Sequence, residues 1–503
     1  MSLSPWRIHG DNAKTGPRRE PRSRDIEPAP DRARCRPALA GYREIVTFDL
    51  TPTVAQHDLV TRVHEFAQDR IRPVAAHYDR TQEFPWPVLE EAAERGFYSP
   101  LFYRDLIGDR TGLSLPMFME ELFWGCAGIG LAIVMPALAL SAIGQAATPE
   151  QMLRWAPECF GTPGDLKLAA LAISEPEGGS DVRNLRTRAV RDGGDWVIDG
   201  HKMWIGNGGI ADVHVVNAVV DSRLGHRGQA LFVIPGGTPG LELVRKLDKL
   251  GCRASHTAEL KFDQVRVPND HLLGGPEKLE HRLARAHASA QDGRGDSATM
   301  GTFAQTRPMV AAQALGIARA ALEYMTDYAN RREAFGAPII DHQGIGFPIA
   351  DLATRIDAAR LLTWRASWMA ANGVPFERGE GSMAKLAASE VAVQTTERAI
   401  QTMGGWGYIT DHPVEKWYRD AKLYTIFEGT SEIQRIVISG ALGAAGGKPP
   451  MHFGLEPSGG PLNKMFGRGT EIRTRAATAA LKMKDHVPEP VRKAAMKVLR
   501  PPR

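Results

Sequence analysis

Three patterns of apolar and polar positions follow one another along the chain. From Asp49 to about Ala170 apolar residues recur at helical spacing, as in HDLVTRVHEFAQDRIRPVAAHYD from His57 to Asp79, which predicts amphipathic helices. From Leu171 to about Gly275 short β-branched runs such as VHVVNAVV, ALFVI and ELKFDQVRV alternate with Gly, Pro and Asp turns, the signature of strands. From Met300 to about Leu442 long Ala-rich helical patterns return, longer than the usual globular helix. A chain of 503 residues can bury several cores, with about two to four domains expected.

Two segments sharpen this picture. Gly125 to Ala147 carries no charge and is long enough to span a bilayer at about 1.5 Å per residue. Pro136 in its middle, its many Gly and Ala residues and the lack of Trp, Tyr or Lys just beyond Ala147 favour buried helices instead. In WVIDGHKMWIGNGG, Trp196 to Gly209, Asp199 and Gly200 lie between two apolar-aromatic stretches, which predicts a hairpin turn there with Trp204 on its second strand.

The most chemically pointed stretch is YRDAKLYTIFEGTSEIQR, Tyr418 to Arg435. Ser431 followed three residues later by Gln434 is a capping-box spacing, so a helix is expected to start at Ser431. Ile433, Ile436 and Val437 would form its inward face. Glu428 is thereby held in place just before a helix. Apolar Ile426 and Phe427 and side-chain-free Gly429 suit a carboxylate drawn out of water, its pKa raised from about 4.3 toward neutrality. That describes a general base; a carboxylate serving only the helix N-terminus is the other reading of these residues.

The same stretch closely resembles the signature of the acyl-CoA dehydrogenases, in which the Glu of the EGTS run removes the α-proton of an acyl-CoA thioester. Further motifs appear in the family's order. LAISEPEGGSD, Leu171 to Asp181, resembles the segment over the flavin and the thioester; the resemblance places Ile173, Ser174 and Gly179 at the flavin and Ser180 at the flavin or the substrate phosphates. Pro176, Gly178 and Gly179 give a side-chain-poor backbone that can approach a ligand closely. Trp204 would flank the ring system. Two residues later the family usually carries Ser or Thr with its hydroxyl near flavin N5, whereas this chain has Gly206, leaving the backbone N–H at that contact.

REAFG, Arg332 to Gly336, resembles the element that reaches the dinucleotide of a neighbouring subunit through Arg332 and Phe335, and a planar, permanently charged guanidinium suits a pyrophosphate. Gln343 follows at the family spacing. QTMGGWGY, Gln401 to Tyr408, resembles the loop that meets the adenosine half of FAD, with Gln401, Gly404 and Gly405 as contacts. Thr430 and Glu432 complete the FAD set that the resemblance implies. On the substrate side it implies Phe303, Thr306 and Arg307 from MGTFAQTRP, Phe427 and Gly429 beside the base, and Gly130, Leu131 and Val134 along the acyl cavity. Some members carry the base at the position of Thr306, so Glu428 is the sole candidate here. Arg307 near Glu428 would favour its charged form against desolvation.

The resemblance covers residues 45–445 and implies an α+β multidomain fold: an N-terminal all-α domain (45–170), a middle antiparallel β-domain (171–285) and a C-terminal four-helix bundle (286–445) with the catalytic Glu. No G-x-G-x-x-G follows a predicted strand, so a Rossmann site is not supported, and FAD is expected between the β-domain and the bundle. The implied activity is FAD-dependent α,β-dehydrogenation of an acyl-CoA to a trans-2-enoyl-CoA, as in fatty-acid β-oxidation. Glu428 would act as base, with its own N–H and a ribityl hydroxyl on the thioester oxygen. Electron-transferring flavoprotein is the implied acceptor, and a homotetramer, a dimer of dimers, the implied assembly, with no metal. Two other readings stay open: a short acyl-CoA oxidase passing electrons to oxygen, and a same-fold flavoprotein acting on nucleic acid through a basic C-terminus.

Composition adds little to the core and more to the ends. The net charge is only +4. Four cysteines, Cys35, Cys126, Cys159 and Cys252, show neither metal-ligand spacing nor a disulfide rhythm, which points to a reducing, cytoplasmic setting; no secretory signal or transmembrane segment is expected. Residues 1–44 are rich in Arg and Pro and read as disordered. Residues 446–503 form a basic extension with two short amphipathic stretches, read as a solvated tail rather than as a membrane or nucleic-acid contact. The basic segment Glu277 to Ser297 reads as an insertion, a solvated surface helix.

Overall fold

The computed structural model describes residues 49–288 and 298–444, apart from the side chains of 298–305 and 444. The N-terminal extension, the stretch 289–297 and the basic C-terminal extension lie outside the described residues.

The first third is helical. α1 (Val54–Phe66) begins at Thr53, whose hydroxyl accepts from Gln56 N while the Gln56 side chain accepts from Thr53 N, a reciprocal cap. A π-turn over Ala67–Ile71 leads into α2 (Arg72–Thr81). Then come α3 (Trp86–Glu94), α4 (Pro100–Gly108), α5 (Ser114–Gly125), α6 (Ala127–Ala146) and α7 (Pro149–Glu158). α6 is long and apolar enough to cross a membrane, yet 72% of that stretch is buried inside the chain, as the sequence led us to expect. The carboxylates of Glu120 and Glu121 on α5 are buried against Arg360 and Arg319 at 2.8 and 2.5 Å. These pairs tie the N-terminal helices to the C-terminal ones.

A small hairpin of β1 (Gly161–Thr162) and β2 (Asp165–Leu166) precedes the main sheet. That sheet contains β3 (Ala169–Ala172), β4 (Arg188–Asp192), β5 (Asp195–Gly206), β6 (Val213–Val219), β7 (Gln229–Pro235), β8 (Leu241–Lys246) and β9 (Thr257–Pro268). β4, β5, β9 and β8 form an antiparallel run, β7 is antiparallel to β6, and β3 is parallel to β6. The expected hairpin at Asp199–Gly200 is not there. β5 runs unbroken through it, and the turn falls at Gly193–Gly194, where Asp192 pairs with Asp195. Asp199–Gly200 is instead an irregularity in the β5–β9 register: Asp199 accepts from Gln264 N and Nε2, both at 2.7 Å. Gly200, at φ +153°, lies so close to Thr187 that a Cβ would stand 2.5 Å from its hydroxyl. The dipeptide serves a bulge, for which Gly is equally apt.

α8 (Gly275–Ala288) is a surface helix, as expected, with most of its residues exposed and a narrow apolar face turned inward. Leu279 and Ala286 are buried, and Arg282 donates to the carbonyls of Arg227 and Gln229 at 2.8 and 2.6 Å. Arg282 therefore docks on the β-domain, while His281, Arg285 and His287 stay exposed.

The C-terminal unit is a bundle of α9 (Ala298–Arg331), α10 (Gln343–Ala371), α11 (Glu380–Met403) and α12 (Val414–Tyr424), with α13 (Ser431–Ala444) packed on α11. A two-residue ladder, β10 (Glu333–Ala334) with β11 (Ala337–Pro338), links α9 to α10. α9 also packs on α5 and α6, so the helices of both ends share one core. Cys126, Cys159 and Cys252 are buried and unbridged; Cys35 lies outside the described residues.

Candidate active site

Six residues separate α12 from α13, and Glu428 sits among them with a left-handed backbone, φ +54°. That conformation costs a non-glycine residue about 1–3 kcal/mol, so the loop must be held by other bonds. Phe427 N donates to Leu423 O at 3.0 Å and Ser431 N to Thr425 O at 3.0 Å. The Lys385 ammonium, on α11, donates to Tyr424 O at 2.6 Å and Gly429 O at 2.8 Å.

The capping expected of Ser431 and Gln434 is redistributed. The helix does begin at Ser431, but Thr430 is the cap, its hydroxyl accepting from Ile433 N at 3.2 Å. The Ser431 hydroxyl is buried without a partner among the described residues. Gln434 reaches past the cap: its Nε2 donates to Glu428 O at 3.1 Å and Gly429 O at 2.8 Å. Spacing alone cannot separate these arrangements, because Thr430 and Ser431 are both competent caps. Of the expected inward face, Ile436 is 63% exposed; α13 packs on one neighbour, which needs only a narrow stripe.

The carboxylate accepts from the Thr306 hydroxyl at 3.0 Å. Burial raises the Glu428 pKa above its ordinary value, against the Thr306 hydrogen bond and the charges of Lys385 and Arg307. Desolvation therefore wins the contest that the sequence left open. Arg307 bonds elsewhere, from Nη1 to Ser382 Oγ at 2.9 Å, and acts on Glu428 as a nearby charge. Burial lowers the Lys385 pKa to about 8, with Glu428 opposing.

Glu428, Phe427 and Thr306 share a cavity of about 70 Å³ with Leu131, Val134, Met135 and Leu138 of α6 and Met309 and Val310 of α9. Gly130, expected in this wall, is not in it: a Cβ there would meet the Phe123 ring at 3.0 Å, so it faces helix packing. Gly429 lies behind the base, its carbonyl held by Lys385 and Gln434.

The aromatic expected to face the flavin lies two residues before Gly206, which abuts Met135 of the cavity wall. Trp204 interrupts β5 with φ +61° and leaves its indole 54% exposed. A Cβ on Gly179 would lie 3.8 Å from that indole, so the 173–180 loop and Trp204 form one surface. Met203 N donates to Ser174 O at 3.0 Å. The buried Lys202 ammonium donates to Ile173 O and to Glu175 Oε1, both at 2.8 Å. Ser180 is exposed on this loop. At Gly206 a Cβ would come within 2.8 Å of the Met135 Sδ and Cε; the space where the family carries a hydroxyl is filled by a thioether from the acyl cavity. Gly206→Ser meets only the far end of a flexible side chain, so the Met135 thioether should swing aside and the holoprotein should lose no more than about 1 kcal/mol in thermal unfolding; a loss of several kcal/mol that Met135→Ala restores would show that the thioether cannot move.

A second, open groove of about 780 Å³ is bordered by Arg332, Phe335, Thr402, Gly404, Gly405 and Trp406, among others. Phe335 is 99% exposed. Gly404, at φ +60°, and Gly405 have nothing within 4 Å of where a Cβ would stand, which leaves a cradle open to a phosphate chain. Gln343 and Gln401 are exposed nearby in sequence but are not among the residues lining this groove. Glu432 is exposed in the first turn of α13, and the side chain of Phe303 lies outside the described residues. An exposed indole on a strained backbone, a close-approach loop and a glycine cradle beside a guanidinium are what a flavin dinucleotide requires, so the residues present fit FAD.

Sequence reasoning missed Lys385, the reach of Gln434, Met135, and the Lys202–Glu175 pair. Lys385 had a signal: it lies in an Ala-rich face with Ala384 and Ala388, all buried, and a buried Lys needs partners.

The chain matches the family models described as acyl-CoA dehydrogenase N-terminal domain over residues 53–163, middle domain over 170–265 and C-terminal domain over 293–443. It is 42% identical over 380 residues to a short-chain specific acyl-CoA dehydrogenase of Bos taurus mitochondria, covering 75% of this chain and 87% of the relative. An acyl-CoA dehydrogenase of Bacillus subtilis is 36% identical over 391 residues, covering 77% and 98%. Among solved structures, butyryl-CoA dehydrogenase from Megasphaera elsdenii superposes with a TM-score of 0.69 at 32% identity, covering 78% of this chain and 99% of that one.

Proposed function

The chain belongs to the acyl-CoA dehydrogenase family of FAD-binding oxidoreductases, and from that premise we propose that Glu428 is the base of an α,β-dehydrogenation acting on a short acyl-CoA. The observation that carries this reading is a carboxylate raised in pKa by burial, opening on an apolar cavity whose wall residue Met135 abuts the strand that carries the exposed Trp204. FAD, when bound, supplies the acceptor for the β-hydrogen and its electron pair, so that acyl-CoA and oxidised flavin become trans-2-enoyl-CoA and reduced flavin.

Each residue then has a defined task. Glu428 takes the α-proton, and its raised pKa brings it nearer the basicity that efficient proton transfer needs. The Glu428 N–H has no backbone partner among the described residues and is free to donate to the thioester oxygen as enolate character develops; one such donor is worth about 3 kcal/mol. Lys385 and Gln434 hold the carbonyls on either side, so the N–H and carboxylate keep their aim. Trp204 and the 173–180 loop cover the flavin face and exclude water, while Arg332, Gly404 and Gly405 would take the dinucleotide end. The small cavity and the short-chain specificity named for the Bos taurus relative support a short acyl group. Reoxidation by electron-transferring flavoprotein and a homotetrameric assembly belong to the same proposal.

The pH dependence tests the base. The rate of flavin bleaching by acyl-CoA should rise with pH through the Glu428 pKa, above the ordinary carboxylate value. Thr306→Val removes a hydrogen bond that favours the charged form, so the acid limb should move upward by about 1–2 pH units. A limb that stays put or moves down would contradict the assignment.

A further inference from the structure

We infer that the preferred acyl group carries a neutral hydrogen-bonding oxygen at the end remote from the thioester, received by Tyr103. The inference rests on the dehydrogenation reading and deepens it. Tyr103, on α4, lines the same cavity as Glu428 although it is only 1% exposed. Its ring is packed on Phe102, Phe118 and Phe160, none of which lines the cavity. Tyr103 therefore borders the cavity with little of its surface, and its hydroxyl lies buried within the wall. That hydroxyl has no hydrogen-bond partner among the described residues.

A second polar group in the wall is nearly as short of partners. Gln313 Oε1 accepts from the Tyr424 hydroxyl at 3.3 Å, while Nε2 meets only the Met119 sulfur at 3.9 Å. Sulfur is a weak acceptor. A buried polar group left unpaired costs about 1–3 kcal/mol, and a hydrocarbon tail in this cavity would leave both groups so. Burial pushes the Tyr103 phenol far above its ordinary pKa, which keeps its proton available for donation. No Lys or Arg lines the cavity among the described residues, and Glu428 does. The oxygen that fits is therefore a hydroxyl or carbonyl, not a carboxylate.

The test uses the FAD-loaded protein and pairs of acyl-CoAs matched in heavy atoms: 4-hydroxybutyryl against pentanoyl, 5-hydroxypentanoyl against hexanoyl, and 4-oxopentanoyl against 4-methylpentanoyl. Dissociation constants are read from perturbation of the flavin spectrum, and bleaching rates are read separately. The oxygenated member of at least one pair should bind about tenfold more tightly, and Tyr103→Phe should bring that ratio to within twofold of one. A wild-type ratio at or below one in every pair, the result if a water satisfies the hydroxyl, would overturn the inference. So would a preference that Tyr103→Phe leaves intact. If plain acyl-CoAs bleach the flavin without any oxygen preference, only this inference fails; if no acyl-CoA of either kind bleaches it, the dehydrogenation reading fails as well.

Discussion

Glu428→Gln is expected to lower the rate of flavin bleaching by acyl-CoA by about 10⁴-fold, the upper range for loss of a positioned general base, while the protein stays yellow. Glutamine keeps the shape, and the Thr306 hydroxyl at 3.0 Å can donate to its amide oxygen, but the amide cannot take a proton. The fold should not suffer. Because burial raises the Glu428 pKa above its unfolded value, the stability linked to this group is present below the unfolded pKa and lost as pH rises through the folded one. Above the folded pKa the wild-type protein therefore holds a carboxylate its surroundings disfavour, and there Glu428→Gln should melt no lower than wild type. A variant that bleaches its flavin at the wild-type rate would remove Glu428 from the mechanism. One that melts well below wild type would contradict the electrostatic account.

Lys385→Met should give the second largest effect, through position rather than contact with substrate. The substitution takes a donor from the carbonyls of Tyr424 and Gly429, and the Tyr424 carbonyl loses its only side-chain donor among the described residues, at a cost of about 1–3 kcal/mol. Gln434 still donates to Gly429 O, so the loop loosens without being released. It also removes one of the two charges that pull the Glu428 pKa down. We expect unfolding easier by about 1–3 kcal/mol, bleaching slower by about 10²-fold at neutral pH, and an acid limb displaced upward. Loss of stability alone, with the acid limb where the wild type has it, would reduce Lys385 to a structural role.

The three-domain order was legible because each domain writes its own period: the helical spacing of His57–Asp79, the β-branched runs of β6 and β7, the Ala-rich α9 and α11. Glu428 was legible because a helix start and apolar neighbours already imply a held, desolvated carboxylate. Other features depended on the third dimension. Asp199–Gly200 reads the same whether it turns a hairpin or bulges a strand, and only the partner strand decides. Thr430 and Ser431 compete for one cap. Gly130 and Leu131 are adjacent letters, yet one meets Phe123 and the other the cavity. Lys385, Met135 and Tyr103 act at Glu428, Gly206 and the cavity floor across sequence separations that no local pattern spans.

The most direct test of the central claim is the visible spectrum of the purified, FAD-loaded protein during anaerobic titration with a graded series of acyl-CoAs. Short chains should bleach the flavin stoichiometrically, with the effect weakening as the chain outgrows the cavity. A protein that binds FAD and is bleached by no acyl-CoA would keep the fold and contradict the function.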